Sequence, residues 1–164
     1  MTRTFRQSLL VALMLGLISA CVTGSLAVPV PSNSSAAAPQ AAGQDSLYKR
    51  LGGYDALAAV SDDFLGRLAT DAKEGRFFVG LSTDSKVRVR QHVVDFLCVA
   101  TGGPCKYTGR DMETAHTGLN ITEDDWTISV KALTDTLNKF KVPAREQGEV
   151  INAIAGLKSK IVGR

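Results

Sequence analysis

The stretch Gln91–Gly118 reads QHVVDFLCVATGGPCKYTGRDMETAHTG and holds both histidines of the chain, His92 and His116. A helical pattern runs into Gly102-Gly103-Pro104, which breaks it, and a shorter helical pattern follows. Two helices joined by such a break can fold back on each other, so that each presents one imidazole. We therefore expect the two histidines to face each other across a site.

Two facing imidazoles suggest a metal centre. Neutral imidazole is a favoured ligand for iron and other transition metals, and an imidazole on each side of one metal suits haem iron. The alternative is that the two histidines of this 164-residue chain lie apart, each partly buried or at the surface. Spacing alone leaves both interpretations open, because a short motif is only a hypothesis.

The composition is that of one folded domain without a nucleic-acid partner. The chain is 45% hydrophobic and 21% charged, which is ordinary for a globular protein. Subtracting Arg3 and Arg6 at the extreme N-terminus from the net charge of +3 leaves +1. Such a small charge gives no electrostatic reason to expect binding to nucleic acid.

The N-terminus is typical of an export signal, with Arg3 and Arg6 ahead of an apolar run that is too short to span a membrane. Ile18-Ser19-Ala20-Cys21 resembles a bacterial lipoprotein box. We expect residues 1–20 to be a signal peptide and Cys21 to be the lipid-bearing first residue, anchored in a membrane. The alternative is cleavage after Ala27 to give a soluble periplasmic protein. Both readings export the chain, as an envelope lipoprotein or into the periplasm.

Residues 21–45 are rich in Ala, Pro and Ser and have no periodic apolar face, which is typical of a flexible linker. The folded domain is expected over residues 46–164. Within it, Cys98 and Cys105 form an even pair that an oxidising compartment would favour as a disulfide. Two free thiols, one buried and one exposed, are the alternative. A Cys-x-x-Cys-His haem attachment motif is absent from the sequence.

Helical periodicity predicts an all-α domain. His92 lies beside an apolar stripe of its helix and is expected to point toward the buried side. Thr83 or Asp84 is expected to cap that helix, and Thr122 to Asp125 resembles a capping box. The expected helices run from about Tyr54 to Thr70, Ser85 to Ala100, Arg110 to Thr117, Thr122 to Lys141, and from Pro143 as the first helical residue through Ile161.

The ordered motifs of residues 47–164 resemble the group I truncated haemoglobins, over about seven-tenths of the chain. The motifs are Leu47-Tyr48-Lys49-Arg50-Leu51-Gly52-Gly53, Asp63-Phe64, Phe77-Phe78, Gly102-Gly103-Pro104, Tyr107-Thr108-Gly109-Arg110-Asp111-Met112 and Ala115-His116. The resemblance implies a two-on-two helical sandwich around haem b. It makes His116 the proximal iron ligand and His92 a distal sixth ligand, unless His92 points to a haem propionate or to solvent. The implied haem contacts are Phe64, Phe78, Val89, Val93, Leu97, Tyr107, Met112, Ile121 and Trp126.

One position departs from the family pattern. Many members follow the phenylalanine equivalent to Phe64 with a tyrosine that hydrogen-bonds the ligand, whereas this chain has Leu65. Val89 and Val93 also stand where relatives often carry glutamine, so His92 is the only evident distal donor. The sequence therefore does not favour tight oxygen storage.

The resemblance implies reversible binding of oxygen, nitric oxide or carbon monoxide to a six-coordinate haem. It also implies oxidation of nitric oxide to nitrate, a detoxification that would need an unknown external reductant. An alternative function is electron transfer or redox sensing by the haem in the cell envelope. A third is a helical lipoprotein that keeps the scaffold without haem.

Overall fold

The computed structural model describes residues 45–164, and within this range all the regular secondary structure is helical, which confirms the all-α prediction. The predicted signal peptide, Cys21 and nearly all of the predicted linker lie outside the described residues. The helices are α1 (Leu47–Arg50), α2 (Gly53–Thr70), a 3-10 helix (Glu74–Phe78), α3 (Thr83–Ala100), α4 (Met112–His116), α5 (Glu123–Lys139), α6 (Ala144–Ala155) and α7 (Lys158–Ile161). No helix between residues 45 and 164 is both long and apolar enough to cross a membrane.

The helix α2 is the centre of the packing, because it lies against α3 on one side and α5 on another, with the 3-10 helix at its end. Its turn from α1 uses Gly52 at a φ of 97°, a left-handed conformation that favours glycine. The chain can therefore turn sharply between α1 and α2.

Two groups of buried apolar side chains hold these helices together. The first joins α2, α5 and α6, and the second joins α2 to the end of α3. Leu51 and Ile154 pack against both groups, so the two parts of the core are continuous. Burial of this kind is the main stabilising contribution in a domain of this size. The buried members are Val60, Leu133, Leu137 and Val150 in the first group, and Leu57, Leu97 and Cys98 in the second.

Polar contacts around a half-buried carboxylate fix how α2 meets α5. The Asp63 carboxylate accepts hydrogen bonds from Thr136 at 2.9 Å and Arg67 at 2.7 Å, and it also pairs with Lys139. These contacts hold the pKa of Asp63 well below its usual range, with Lys139 as the largest cause and Arg67 the next. A carboxylate with several donors is a satisfied charge rather than a catalytic one.

The helix ends correct several predictions. Ser82, rather than Thr83 or Asp84, caps α3, because its hydroxyl accepts from the Ser85 amide at 3.2 Å. The capping box of Thr122 and Asp125 at the start of α5 is confirmed.

The C-terminal helix differs more from its prediction. Pro143 is the N-cap of α6 and not its first helical residue, because its ψ of 150° is extended. The predicted single helix then breaks at Gly156 and Leu157, and α7 follows as a separate turn. The predicted helix from Arg110 to Thr117 is also shorter, since only Met112–His116 is helical.

Candidate functional site

His116 is carried by α4, a helix of barely more than one turn that is held at both ends. At its start, the Asp111 carboxylate accepts from the Thr114 amide at 3.0 Å and from the Thr114 hydroxyl at 2.7 Å. After the helix, the backbone N–H of Asn120 donates to the Arg164 carbonyl at 2.9 Å, so the C-terminal residues brace this segment. A helix this short is marginal by itself, and these contacts therefore set where His116 lies.

The His116 imidazole is half-buried, and its Nδ1 atom lies 2.7 Å from the Met112 carbonyl oxygen. A carbonyl oxygen can only accept, so Nδ1 carries the hydrogen and donates it. The same bond fixes the tautomer and leaves Nε2 with a free lone pair. Metal-binding histidines are commonly oriented by such a bond from the other ring nitrogen.

His92 lies on α3, and its ring is half-buried, as the apolar stripe predicts. Its Nδ1 atom is buried and has no hydrogen-bond partner within the described part of the chain. A buried polar nitrogen without a partner costs free energy unless something outside the protein meets the ring. His92 is therefore uncommitted, whereas His116 is oriented by its own helix.

Tyr107 lies in the loop between the two histidine-bearing helices. Its ring meets the His92 ring edge-on, with centroids 6.0 Å apart, and meets the Phe96 ring edge-on at 5.6 Å. The hydroxyl donates to the Arg110 carbonyl at 2.6 Å. Burial, and to a smaller extent the charge of Asp111, raises the pKa of Tyr107, which keeps this donor protonated.

The same loop carries a disulfide between Cys98 and Cys105, with the two Cα atoms 5.9 Å apart. The disulfide predicted from the sequence is therefore present. Cys98 is fully buried near the end of α3, and Cys105 packs against the same part of the core. The bridge ties the helix of His92 to the segment that leads to His116.

The apolar residues that the sequence assigns to a haem contact surface are mostly half-buried. Met112 shares α4 with His116, Val89 and Val93 share α3 with His92, and Trp126 lies in the first turns of α5. Partly exposed apolar side chains of this kind provide a surface for an apolar ligand. The half-buried residues are Phe64, Phe78, Val89, Val93, Tyr107, Met112, Ile121 and Trp126.

Three members of the predicted set are also part of the protein core. Leu97 is only 5% exposed and packs with Leu57 and Cys98. Phe64 packs against the group that contains Val60, and Val93 packs against the group that contains Leu97. Leu97 also lines a cavity of about 130 Å³ between α2, α3, α5 and α6, which neither histidine borders. This cavity is too small for a large ligand. The contact of Leu97 with a ligand beside His92 stays a prediction.

A charged group close to this surface was missed by the sequence reasoning. Arg76 of the 3-10 helix donates to Asp125 of α5 at 2.6 Å, and the bond holds the pKa of Asp125 well below its usual range. Glu74, in the same 3-10 helix, is buried beside this pair. The group joins the segment that contains Phe78 to the helix that contains Trp126. The capping box was the only sequence signal for it, and that signal indicated Asp125 alone.

Comparison with known proteins identifies close relatives. A model of the bacterial-like globin family matches residues 46–162. The chain is 34% identical over 116 residues to the group 1 truncated hemoglobin GlbN of Mycolicibacterium paratuberculosis, covering 71% of this chain and 83% of that protein. It is 31% identical over 119 residues to GlbN of Nostoc commune, covering 73% of this chain and 98% of that protein.

Solved structures agree with the helical arrangement. The truncated hemoglobin of Tetrahymena pyriformis in its Fe(III) form superposes with a TM-score of 0.67 at 27% identity, covering 73% of this chain and all of that one. The 2/2 hemoglobin of Synechococcus sp. PCC 7002, in the cyanomet state with covalently attached heme, gives the same TM-score, identity and coverage. The predicted two-on-two globin fold is confirmed.

Proposed function

Because this chain belongs to the bacterial-like globin family and is a homologue of the group 1 truncated haemoglobins, we propose that it binds haem b between His116 and His92 and reversibly binds diatomic ligands. Membership of this family implies haem binding. The state of the two imidazoles is the observation that supports coordination of the iron by both histidines. One has its Nδ1 engaged by Met112, and the other has a buried nitrogen without a partner.

The residues present fit a haem group. The free Nε2 lone pair of His116 is the kind of donor that haem iron takes from a protein, and the hydrogen bond to Met112 orients it. Partly exposed apolar residues on α3, α4 and α5 supply a surface that an apolar macrocycle would cover. A haem covering it would remove apolar area from water, which favours binding.

His92 would hold the iron together with His116 and would compete with gas ligands for it. Haem iron supplies a site for reversible binding of oxygen, nitric oxide or carbon monoxide. His92 would have to release the iron before any of these could bind, so the fraction of time that His92 is released would set the apparent affinity. The chain thus controls access through one side chain of α3.

The distal side offers little else to hold a polar ligand. Leu65, Val89 and Val93 have no hydrogen-bond donor in their side chains, and all three are half-buried. The proposed protein therefore binds and exchanges ligands instead of storing oxygen tightly. Oxidation of nitric oxide to nitrate fits such exchange, and it would take electrons from an external reductant.

The test is the kinetics of carbon monoxide binding to the ferrous protein, in wild type and in His92→Ala. We expect wild-type binding to approach a limit set by His92 release at high carbon monoxide concentration. Binding to His92→Ala should have no such limit and be on the order of tenfold faster or more, since the open state is no longer a minor fraction. Gln91→Ala is the matched control, because Gln91 is exposed and bonds to Tyr54 and Asp95.

Equal rates in wild type and His92→Ala would show that His92 does not compete for the iron. A His116→Ala protein that retained stoichiometric haem would overturn the assignment of the proximal ligand. These two outcomes are independent, because each concerns a different imidazole.

Electron transfer or redox sensing is the second candidate, and the Cys98–Cys105 disulfide at the end of the His92 helix favours it. Two fixed imidazoles would keep the iron six-coordinate in both oxidation states and exclude gases. Failure of the ferrous wild type to bind carbon monoxide on any measurable timescale, together with binding by His92→Ala, would favour this candidate.

We also propose that the protein is exported, anchored by a lipid on Cys21. The disulfide supports an oxidising compartment, where such bonds persist. Labelling with a radioactive fatty acid of cells that produce wild type or Cys21→Ser tests the anchor. Wild type should carry the label and Cys21→Ser should not, whereas an unlabelled wild type would contradict the proposal.

A further inference from the structure

The loop between α3 and α4 is held in one conformation by several contacts. Its first part is stapled to the core by the Cys98–Cys105 bridge. Gly103 fits tightly over that bridge, because a Cβ atom there would lie 2.6 Å from Cys98 Sγ and 2.6 Å from the Tyr48 ring. The Gly103 amide also donates to the Cys98 carbonyl at 2.7 Å. The start of the loop is therefore fixed in place by close packing as well as by the disulfide.

Two residues beyond the bridge, Tyr107 turns its ring back onto α3. There it meets the edges of both His92 and Phe96, at interplanar angles of 71° and 79°. Edge-to-face contacts of this kind stabilise one relative orientation of two rings. The Tyr107 ring therefore restricts the rotation of the His92 imidazole.

The other end of Tyr107 is fixed toward α4. Its hydroxyl donates to the Arg110 carbonyl, directly before the Asp111 cap of the helix that carries His116. Gly109 leaves room for this arrangement, since a Cβ atom there would lie 2.4 Å from the Tyr107 oxygen. Tyr107 thus spans the gap between the segments of both histidines.

We propose that Tyr107 is a positioning residue for the His92 imidazole, and that the Cys98–Cys105 bridge acts on His92 by holding the loop that carries Tyr107. This inference rests on the proposed coordination of iron by His92. A side chain whose rotamer is already restricted loses less conformational entropy when it binds a metal. Tyr107 therefore strengthens the competition of His92 against gas ligands without itself contacting them.

Tyr107→Leu removes the ring and both edge contacts, whereas Tyr107→Phe keeps them and removes only the hydroxyl. In haem-loaded Tyr107→Leu, we expect more high-spin ferric iron and about two- to tenfold faster carbon monoxide binding. This factor corresponds to the free energy of one aromatic pair contact. The largest g-value in the electron paramagnetic resonance spectrum of the remaining low-spin iron should also shift, because it reports imidazole orientation. Tyr107→Phe loses only the bond to Arg110, so its changes should run in the same direction as those of Tyr107→Leu and be smaller in all three measurements.

Tyr54→Leu is the matched control. Tyr54 is an exposed tyrosine of α2 that also reaches α3, where its hydroxyl accepts a hydrogen bond from Gln91 at 2.7 Å. The same substitution there should leave the spin state, the g-values and the carbon monoxide rate unchanged. Equal changes in Tyr54→Leu and Tyr107→Leu would overturn the proposal, because general loosening of α3 would then explain both.

Cys105→Ser tests the role of the bridge without a chemical reductant, which would also act on the iron. In a wild-type background it should shift the spin state in the same direction as Tyr107→Leu. In the Tyr107→Leu background it should add little, because residues that act through one contact are not additive. An equal effect in both backgrounds would overturn the link between the bridge and Tyr107. Cys105→Ser also provides a second test if Tyr107→Leu does not fold.

The outcomes also separate this inference from the proposed function. A low-spin wild type whose spectrum, g-values and rates are unchanged by Tyr107→Leu would overturn only the positioning role. A high-spin wild type would overturn the coordination of the iron by both histidines, and this inference with it.

Discussion

Glu74 is a carboxylic acid that is only 3% exposed, yet its Oε1 atom has no partner within the described residues. Its other oxygen accepts from the Ser129 hydroxyl at 3.3 Å, and its charged neighbours are Asp125 of α5 and Arg76 of its own helix. Burial is the largest cause that raises the pKa of Glu74, and the negative charge of Asp125 is the next. The fold therefore favours the neutral acid at this position.

This burial predicts a pH dependence of stability. Because the pKa of Glu74 is higher in the folded protein, its protonation stabilises the fold fully below the unfolded-state pKa, and this contribution is lost as pH rises through the folded-state pKa. Asp125 has a lowered pKa and stays ionised in this range. Urea unfolding of wild type should show a free energy of unfolding that falls as pH rises above the ordinary pKa of a glutamate, and Glu74→Gln should lose less of it.

Glu123→Gln is the control for this measurement, since Glu123 is an exposed carboxylate that pairs with Lys158 at 2.6 Å. Its stability should follow the wild-type pH profile. A Glu74→Gln profile that also runs parallel to wild type would contradict the assignment of the titration to Glu74.

Single residues differ in how far the sequence predicts them. The inward position of His92 followed from the apolar stripe of its helix, and the Cys98–Cys105 bond followed from an even pair in a chain that is expected to be exported. Glu74 could not be found this way, because a glutamate in a polar connector resembles any solvated residue. Its burial depends on the packing of the 3-10 helix against α2 and α5, which is a tertiary effect.

Among the elements, α4 is the one on which the site depends most. It has five residues and carries the proposed proximal ligand, so its position depends on its cap and on the backbone bonds that follow it. Arg164 also pairs with Glu113 at 3.4 Å, which adds a contact between the C-terminus and this helix.

Asp111→Ala should weaken this element. Loss of an N-cap costs about 1 kcal/mol, and in a helix of barely more than one turn that cost falls directly on the residue that is proposed to bind the haem iron. We expect haem to transfer from Asp111→Ala to an excess of a scavenging apoprotein about fivefold faster than from wild type. A free energy of about 1 kcal/mol corresponds to this factor.

Asp84→Ala is the matched control, since Asp84 is exposed in the first turn of α3, where Ser82 makes the cap. Haem transfer from this variant should be close to wild type. Equal rates in wild type and Asp111→Ala would show that the cap does not support the site.

Long periodic helices were predicted well, whereas most short elements were not. The apolar repeat of α2, the stripe of α3 and the capping box of α5 place these helices to within a few residues. The helical form of α1, the 3-10 helix and the separate α7 were not predicted, because each is too short to show a period and is stabilised by contacts with distant residues. In α1, for example, the backbone N–H of Tyr48 donates to the Thr101 carbonyl at 2.8 Å.

For the molecule as a whole, the fold brings together residues that the sequence separates. The core that joins α2, α5 and α6 forms one part of the domain, and α3 with the stapled loop and α4 forms the part that carries both imidazoles. The sequence indicated both histidines and the break between them. It did not indicate that the Tyr107 ring contacts the His92 ring, since ring contacts depend on the path of an irregular loop.

Coordination of the haem iron by both His92 and His116 is tested most directly by the visible absorption spectrum of the ferric, haem-loaded protein, in wild type and in His92→Ala. If His92 and His116 both bind the iron, the wild type gives a low-spin six-coordinate spectrum that becomes high-spin in His92→Ala, because that substitution removes one strong axial ligand. A wild type that is already high-spin, or a low-spin spectrum that His92→Ala leaves unchanged, would contradict the account.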